Sequence, residues 1–348
     1  MASTKRSPLI SVVVVAYDRH DFILAAVDSV VNQTLEPDLF EIVVIKNYHD
    51  PKIDSHLQSI GVKNLISSNL SLGSKVAEAV KASSGRFVAI LEDDDLFSKD
   101  KLEKIVPLLT DDVCYVHNST KDRIDMVGSE GQEANSQNLL DTVSCDVKNY
   151  GQIMKLSSAK PNFNCSSMTI SRDLIIKNEE VISNLTYRLD VFLYLSALSD
   201  PRKKIHVWNE LTGFRAHDYS IEDSDSFLTF RDERLDKYRK FLGEKLLIKD
   251  TFERRVHHYL LAGELAYLKS LIRLLEEDRK SGTPEISELF TGLLPTFPIV
   301  SYIFKVEIIL GSYLPRVIRN KLAMRMYGKA KCSIKYFHCL CFAGSFVR

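Results

Sequence analysis

The 348-residue chain lacks net charge: 46 lysines and arginines balance 46 aspartates and glutamates. With no bulk field of either sign, electrostatics point to neither a nucleic-acid partner nor an acidic substrate. The six cysteines, Cys114, Cys145, Cys165, Cys332, Cys339 and Cys341, contain no Cys-x-x-Cys pair. A secretory signal is also missing, because the apolar run behind MASTKRSPLI is short, reads as a strand and precedes no small-residue cleavage site. A reducing, cytoplasmic compartment is the expectation. There is no internal repeat and no low-complexity tract. A membrane-spanning helix needs about 20 largely apolar residues, and the most apolar late stretch, 289–310, is broken by Pro295, Pro298, Lys305 and Glu307. One absence is local. From Gly311 onward there is no Asp or Glu, while Arg316, Arg319, Lys321, Arg325, Lys329, Lys331, Lys335 and Arg348 remain.

What is present is ordinary for a globular protein with a sizeable core: 45% hydrophobic and 26% charged residues. LISVVVVAY (9–17) is a β-branched run of the kind covered on both faces in a parallel sheet. Ile23, Ala26, Val27, Val30 and Val31 then form a helical stripe, with Asp21 placed to cap it. FEIVVIKN (40–47) reads as a second strand, 74–84 as a helix and RFVAIL (86–91) as a third strand. A further helix begins at Ser98, with Leu102, Ile105, Val106 and Leu109 on one face. This alternation predicts a doubly wound α/β unit, in which ligands bind at the carboxyl ends of strands. AYDRH, KNYHD and EDDD all fall at such ends. Residues 118–160 read as a long polar loop, SSMTISRDLI (166–175) as a strand, 189–198 as a helix and 203–217 as strand and turn. After about residue 227 the pattern is helical. The expected organisation is therefore a domain over 1–227 and a helical region over 228–348.

Four consecutive acids, Glu92, Asp93, Asp94 and Asp95, close the third predicted strand. On an extended segment Glu92 and Asp94 would point one way and Asp93 and Asp95 the other. Such oxygen-rich runs suit Mg²⁺ or Mn²⁺ arriving with phosphates. The plain alternative is a solvated acidic turn in front of the next helix, whose positive N-terminus it would favour. The strand-end position favours the metal.

SPLISVVVVAYDRHDFILAAVDSVVNQT, then FEIVVIKN, then GRFVAILEDDDLFSKDKLEKI, resembles in order and spacing the family 2 glycosyltransferases of GT-A fold. The likeness is close over 7–110 and looser to about 220. It implies a GT-A-type, mostly parallel sheet, a nucleotide-sugar donor and a divalent metal, Mg²⁺ or Mn²⁺, under its diphosphate. Asp94 would be the main metal ligand, with Glu92 beside it and Asp93 near the ribose or the metal. Ala16, Tyr17, Asp18 and Arg19 would face the nucleotide, and Lys75 would approach the phosphates, although a solvated helix lysine is the simpler reading. At the second strand the chain departs from the family: Lys46 and Asn47 stand where many members have an acid that contacts the base. Asp190, at the start of a helix, falls where the family keeps the general base that deprotonates the acceptor hydroxyl. His217, in FRAH (214–217), would be a third metal ligand or a phosphate contact. Asn164 and Ser166 would line the acceptor side.

The function implied is inverting, metal-assisted transfer of a sugar to a glycan or lipid-linked acceptor. A catalytically inactive, GT-A-like sugar-nucleotide binding module is the alternative, raised by Lys46 and Asn47. A nucleotidyltransferase ranks last, because AYDRHDF has no glycine for a nucleotide loop. Cys332, His338, Cys339 and Cys341 do not have a standard zinc spacing and read as incidental. For the basic C-terminal region two readings stand: a helix pair on the cytoplasmic face of an anionic membrane, or a helix packed on the protein's own core.

Overall fold

The computed structural model describes residues 7–122, 142–145, 150–215, 227–252, 255–276, 284, 286, 289 and 306–332. The chain divides into two units, Met1–Ala216 and His217–Arg348.

In the first unit the β-branched run forms β1 (Ile10–Val15), buried along its whole length. β2 (Phe40–Lys46), β3 (Lys63–Ile66) and β4 (Phe87–Glu92) join it, all parallel and in the order β3-β2-β1-β4. The register sets Val15 beside Ile45 and Glu92, so the polar residues after β1, β2 and β4 emerge along one edge. Val12 and Val14 pack with Ile23, Val27 and Val30 of α1 (Ile23–Val31) in one buried cluster. Burying this apolar stripe is what holds the helix, each large side chain contributing about 1.5–3 kcal/mol. The predicted cap is not made: the N-cap is Phe22, with no side-chain hydrogen bond, and Asp21 takes no part.

Two elements were not expected, α2 (Pro51–Ser59) and β3, so the acid run follows the fourth strand and not the third. Asp50 caps α2 by accepting from the Lys52 and Ile53 N–H groups at 3.0 and 3.2 Å. Only Ile53 and Leu57 of this helix are buried, too thin a stripe to stand out as periodicity. α3 (Leu72–Lys81) starts two residues earlier than predicted and is capped by Ser71, whose hydroxyl accepts from the Ser74 N–H. α4 (Lys101–Ile105) is a short helix.

The sheet continues through β8 (Met168–Ser171), antiparallel to β4, then β6 (Val113–Asp122) and β9 (Lys203–Phe214). The two-residue β5 (Leu96–Phe97) and β7 (Thr142–Cys145) pair antiparallel with β9. The predicted loop over 118–160 thus contains the end of β6, β7 and α5 (Tyr150–Ser158). The strand expected over 166–175 ends at Ser171, where α6 (Arg172–Lys177) begins, followed by α7 (Glu179–Ile182) and α8 (Leu189–Ser199).

The second unit contains α9 (Phe227–Thr251), α10 (Arg255–Leu275), a helical segment at 306–311 and α11 (Arg316–Cys332). Tyr238, Phe241, Leu268, Leu271, Ile272 and Ile308 lie in its core. Arg319 is buried there, donating to the carbonyls of Arg273 and Glu276. That answers C-terminal carbonyls of α10 with a cation, the favourable sign at a helix C-terminus.

Candidate functional site

The direction of connection reverses at β1: β2 and β3 lie on one side and β4 on the other. Open α/β sheets bind ligands in the crevice at such a point, and the three polar strand ends do converge there.

The chain leaves β1 through a tight clasp. Asp18 has a left-handed backbone (φ 48°), a conformation Asp tolerates better than most residues. Its N–H donates to Asn47 Oδ1 at 3.1 Å, and Asn47 Nδ2 donates back to Asp18 Oδ1 at 2.9 Å. The Tyr48 hydroxyl donates to the Arg19 carbonyl at 3.1 Å, while His20 stacks on the Tyr48 ring with centroids 4.0 Å apart. Held in this way, Arg19 reaches back over the end of β4. Its Nη1 donates to Asp94 Oδ2 at 2.7 Å and its Nη2 to Asp93 Oδ1. The Tyr17 N–H adds a longer contact to Asp93 Oδ2 at 3.4 Å.

Strict alternation of the four acids fails because β4 ends at Glu92. The Asp95 N–H bonds back to the Glu92 carbonyl at 3.1 Å, closing a turn that brings Asp93 and Asp94 to the same guanidinium. Burial pushes the Asp93 carboxyl up to about 6, with Arg19 opposing the shift and Asp94 adding to it. The Glu92 pKa is raised well above the carboxylate range by burial, then by the charges of Asp94, Asp95 and Asp190. Asp95 is not a helix-start charge, since α4 begins only at Lys101. It accepts from Asn164 Nδ2 and the Arg215 N–H, each at 3.0 Å, and burial raises its pKa to about 6.

Several expected site residues lie beneath the rim. The Lys75 amine is buried, donates to the Ala16 carbonyl at 3.0 Å and lies 4.4 Å from the Tyr17 ring centroid. It is therefore no solvated helix lysine, and burial lowers its pKa. Lys46 is likewise buried, ion-paired with Asp54 at 2.8 Å. Ala16 is fully buried, whereas Tyr17 is 44% exposed. Asn164, itself left-handed (φ 63°), accepts from the Ser166 N–H at 2.8 Å, and the Ser166 hydroxyl accepts from the Glu92 N–H at 2.9 Å. Both are buried supports of the acid turn rather than an exposed lining. Lys101, which sequence reading missed, supports the same loop: its buried amine donates to the Ser166 carbonyl at 2.6 Å and to Thr212 Oγ1 at 3.0 Å.

Asp190 stands in the first turn of α8, its carboxylate accepting from the Val191 N–H at 2.8 Å. Its charge is also felt at Glu92, Tyr115 and Cys165, which places it within electrostatic reach of the acid turn. His217 lies outside the described residues, as do His338, Cys339 and Cys341.

Among the described residues no group of three or more His, Cys, Asp or Glu side chains is arranged to hold a metal ion. Two carboxylates with substrate phosphates are, however, a usual protein share of a Mg²⁺ or Mn²⁺ site. Asp93 and Asp94 fit that share, and a cation, the Arg19 guanidinium, already bridges them. Glu92 acts on the same guanidinium by its charge, after Asp94 and Asp93.

Comparison with known proteins agrees with this architecture. The family model described as Glycosyl transferase family 2 matches residues 11–163. An uncharacterized glycosyltransferase of Rickettsia bellii is 30% identical over 141 residues, 38% of this chain and 19% of that protein. A second, from Haemophilus influenzae, is 32% identical over 108 residues, 29% of this chain and 33% of that protein. The chain thus spans a third or less of the length of the curated relatives it matches. Among solved structures, the mannosyltransferase PcManGT of Pyrobaculum calidifontis, in complex with GDP-Man and Mn²⁺, superimposes with a TM-score of 0.53 at 13% identity, covering 93% of this chain and 86% of that one. S. aureus TarS 1-349 in complex with UDP-GlcNAc gives 0.50 at 14% identity, covering 97% and 93%. At such identities the likeness is one of fold, the GT-A type with a helical region after it.

Proposed function

We propose, on the match of residues 11–163 to the model described as Glycosyl transferase family 2, that the chain transfers a sugar from a nucleotide-sugar donor to an acceptor hydroxyl with inversion. The observation that carries this reading is the convergence of the β1, β2 and β4 ends on Asp93 and Asp94, with Asp190 in electrostatic reach. The acceptor oxygen attacks the anomeric carbon as its proton passes to the Asp190 carboxylate, and the diphosphate departs with the electron pair of the broken bond. A divalent ion on Asp93 and Asp94, when bound, would supply Lewis-acid neutralisation of the charge gathering on that diphosphate. The Asp18–Asn47 clasp and the Lys75–Ala16 hydrogen bond keep the end of β1 in place, so Tyr17 stands at the rim without further ordering cost. The donors named for the two solved structures, GDP-Man and UDP-GlcNAc, are the first compounds to try.

The test is a panel of UDP-, GDP- and dTDP-sugars with Mn²⁺, followed by turnover on glycan and lipid-linked acceptors. Asp190→Asn should lower turnover by about 10²–10⁴-fold, the usual contribution of a positioned base, while donor binding persists. Unchanged turnover in Asp190→Asn or in Asp94→Asn would end the assignment. Metal-dependent donor binding without turnover on any acceptor would favour the inactive binding module.

We also propose that the second unit meets the cytoplasmic face of a membrane. Leu310, Val317 and Met324 are 55%, 69% and 52% exposed, interspersed with exposed Arg316, Lys321 and Arg325. Apolar residues among bases suit an interfacial surface on anionic lipid. Among the described residues no helix is long and apolar enough to cross a membrane. Co-sedimentation with phosphatidylserine vesicles should fall in a Val317→Ser/Met324→Ser variant. Equal pelleting of both forms would refute the surface.

A further inference from the structure

The four acids pose an electrostatic problem that the chain answers from within. The side chains of Asp93 and Asp94 are 0% and 7% exposed, whereas that of Arg19 is 33% exposed. The guanidinium therefore lies on the solvent side of both carboxylates and covers them. A planar fork of N–H donors can satisfy two carboxylates at once, at roughly 1.5–3 kcal/mol for each hydrogen bond to a charged group. The backbone beneath it is pinned, because Asp18 is clasped by Asn47 in both directions and the Arg19 carbonyl accepts from Tyr48. The backbone is thus fixed independently of the guanidinium, and any displacement of the guanidinium would go through rotation about the bonds of its long side chain.

We propose that Arg19 is an internal counter-ion that occupies the divalent-cation seat of the donor-free protein, so that Arg19 and a divalent ion exclude each other at Asp94. This deepens the transferase reading, since it takes Asp93 and Asp94 as the metal-bearing acids. A bare divalent ion must break the Arg19 hydrogen bonds to Asp93 and Asp94 before it can bind. A metal arriving with a diphosphate gives the displaced guanidinium new oxygens, because guanidinium pairs with phosphate in the same forked way as with carboxylate. Arg19 thereby disfavours the metal alone and favours metal and donor together. The residue acts by positioning and by exclusion; it forms and breaks no covalent bond.

The test reads metal binding with no sugar donor present. Mn²⁺ is titrated by calorimetry, with free Mn²⁺ followed by electron paramagnetic resonance, into the full chain and its Arg19→Met and Arg19→Lys variants. Circular dichroism confirms that each is folded. Arg19→Met should bind Mn²⁺ roughly tenfold or more tightly than wild type, the loss of competition by charge-assisted hydrogen bonds. Arg19→Lys, whose ammonium cannot bridge both carboxylates as a fork, should fall between. Equal or weaker binding in Arg19→Met overturns the proposal, and so does an absence of Mn²⁺ binding by every form. Neither result bears on transfer itself, which the Asp190→Asn turnover assay decides.

Discussion

Replacing His206 by Gln should change how the first unit responds to acid, by an amount that follows from one buried pair. His117 Nδ1 and His206 Nδ1 are 2.9 Å apart, on neighbouring strands β6 and β9. His117 Nε2 is 2.8 Å from the Phe163 carbonyl, which can only accept. That nitrogen therefore carries the hydrogen, and His117 Nδ1 must accept from His206 Nδ1–H. His206 Nε2 is then left to accept from the Ser119 hydroxyl at 3.3 Å. Every contact is made with both rings neutral, and burial lowers their pKa values to about 3 and about 4. Unfolding releases both to about 6.5. A lowered histidine contributes stability that is present above the unfolded pKa and is lost as pH falls through 6.5 toward the folded value. Between pH 7 and 5 each ring forfeits about 2 kcal/mol on this reckoning, the pair up to about 4. Asp93 and Asp95, raised to about 6, act in the opposite direction and gain protons in the folded state over the same range. The quantity to read is therefore the difference between wild type and His206→Gln, which should lose about 2 kcal/mol less on acidification, roughly 4–8 °C in Tm. Trp208, the only tryptophan in the chain, packs edge-on against His206 with centroids 4.6 Å apart and reports the transition by fluorescence. Identical acid-induced losses in the two proteins would refute the neutral pair.

Two further substitutions test the supports of the rim. Gly73→Ala would put its Cβ 1.8 Å from the Ile182 carbonyl oxygen, a backbone atom, so α3 must shift and carry Lys75 with it; a lowered urea midpoint worth about 3 kcal/mol is expected, and an unchanged midpoint would show the approach to be looser. Lys101→Met keeps the buried stem, removes a desolvated charge and leaves Thr212 still bonded to the Ser166 carbonyl, so it should cost about 1–2 kcal/mol in a thermal melt, whereas Lys101→Ala, which also opens a cavity, should cost about 2–5. Equal losses in the two Lys101 variants would mean that the amine, and not the packing, carries the effect.

The parallel half of the sheet was legible because its strands announce themselves locally. ISVVVV and FVAIL are continuous buried runs, and their ends can be read without knowing their neighbours. α2 and β3 were not legible for the opposite reason. One buries two side chains and the other is a four-residue edge strand with no fully buried residue. The second half of the sheet depends on β6 and β9 pairing across about ninety residues, and nothing in either segment names the other. His117 and His206 share that difficulty, each looking like a lone histidine in its own strand.

At the site the division is sharper, and it falls between where a residue sits and what its side chain does. Tyr17, Asn47, Asp93 and Asp94 could be set on one rim from strand ends alone, and there they are. Their partners could not be assigned in that way. Lys46, read as a departure from the family's base-contacting acid, pairs with Asp54, and Lys75, expected to approach the phosphates, donates to the Ala16 carbonyl. Arg19, placed toward a nucleotide by its position after β1, lies across two acids 74 and 75 residues further along. A buried carboxylate left without a cation costs several kcal/mol, so the fold recruits the nearest one its turns allow. Even the charge nearest the rim, Arg19, is thus already engaged by the acids beneath it, which is why position along a strand end does not by itself assign a side chain its partner.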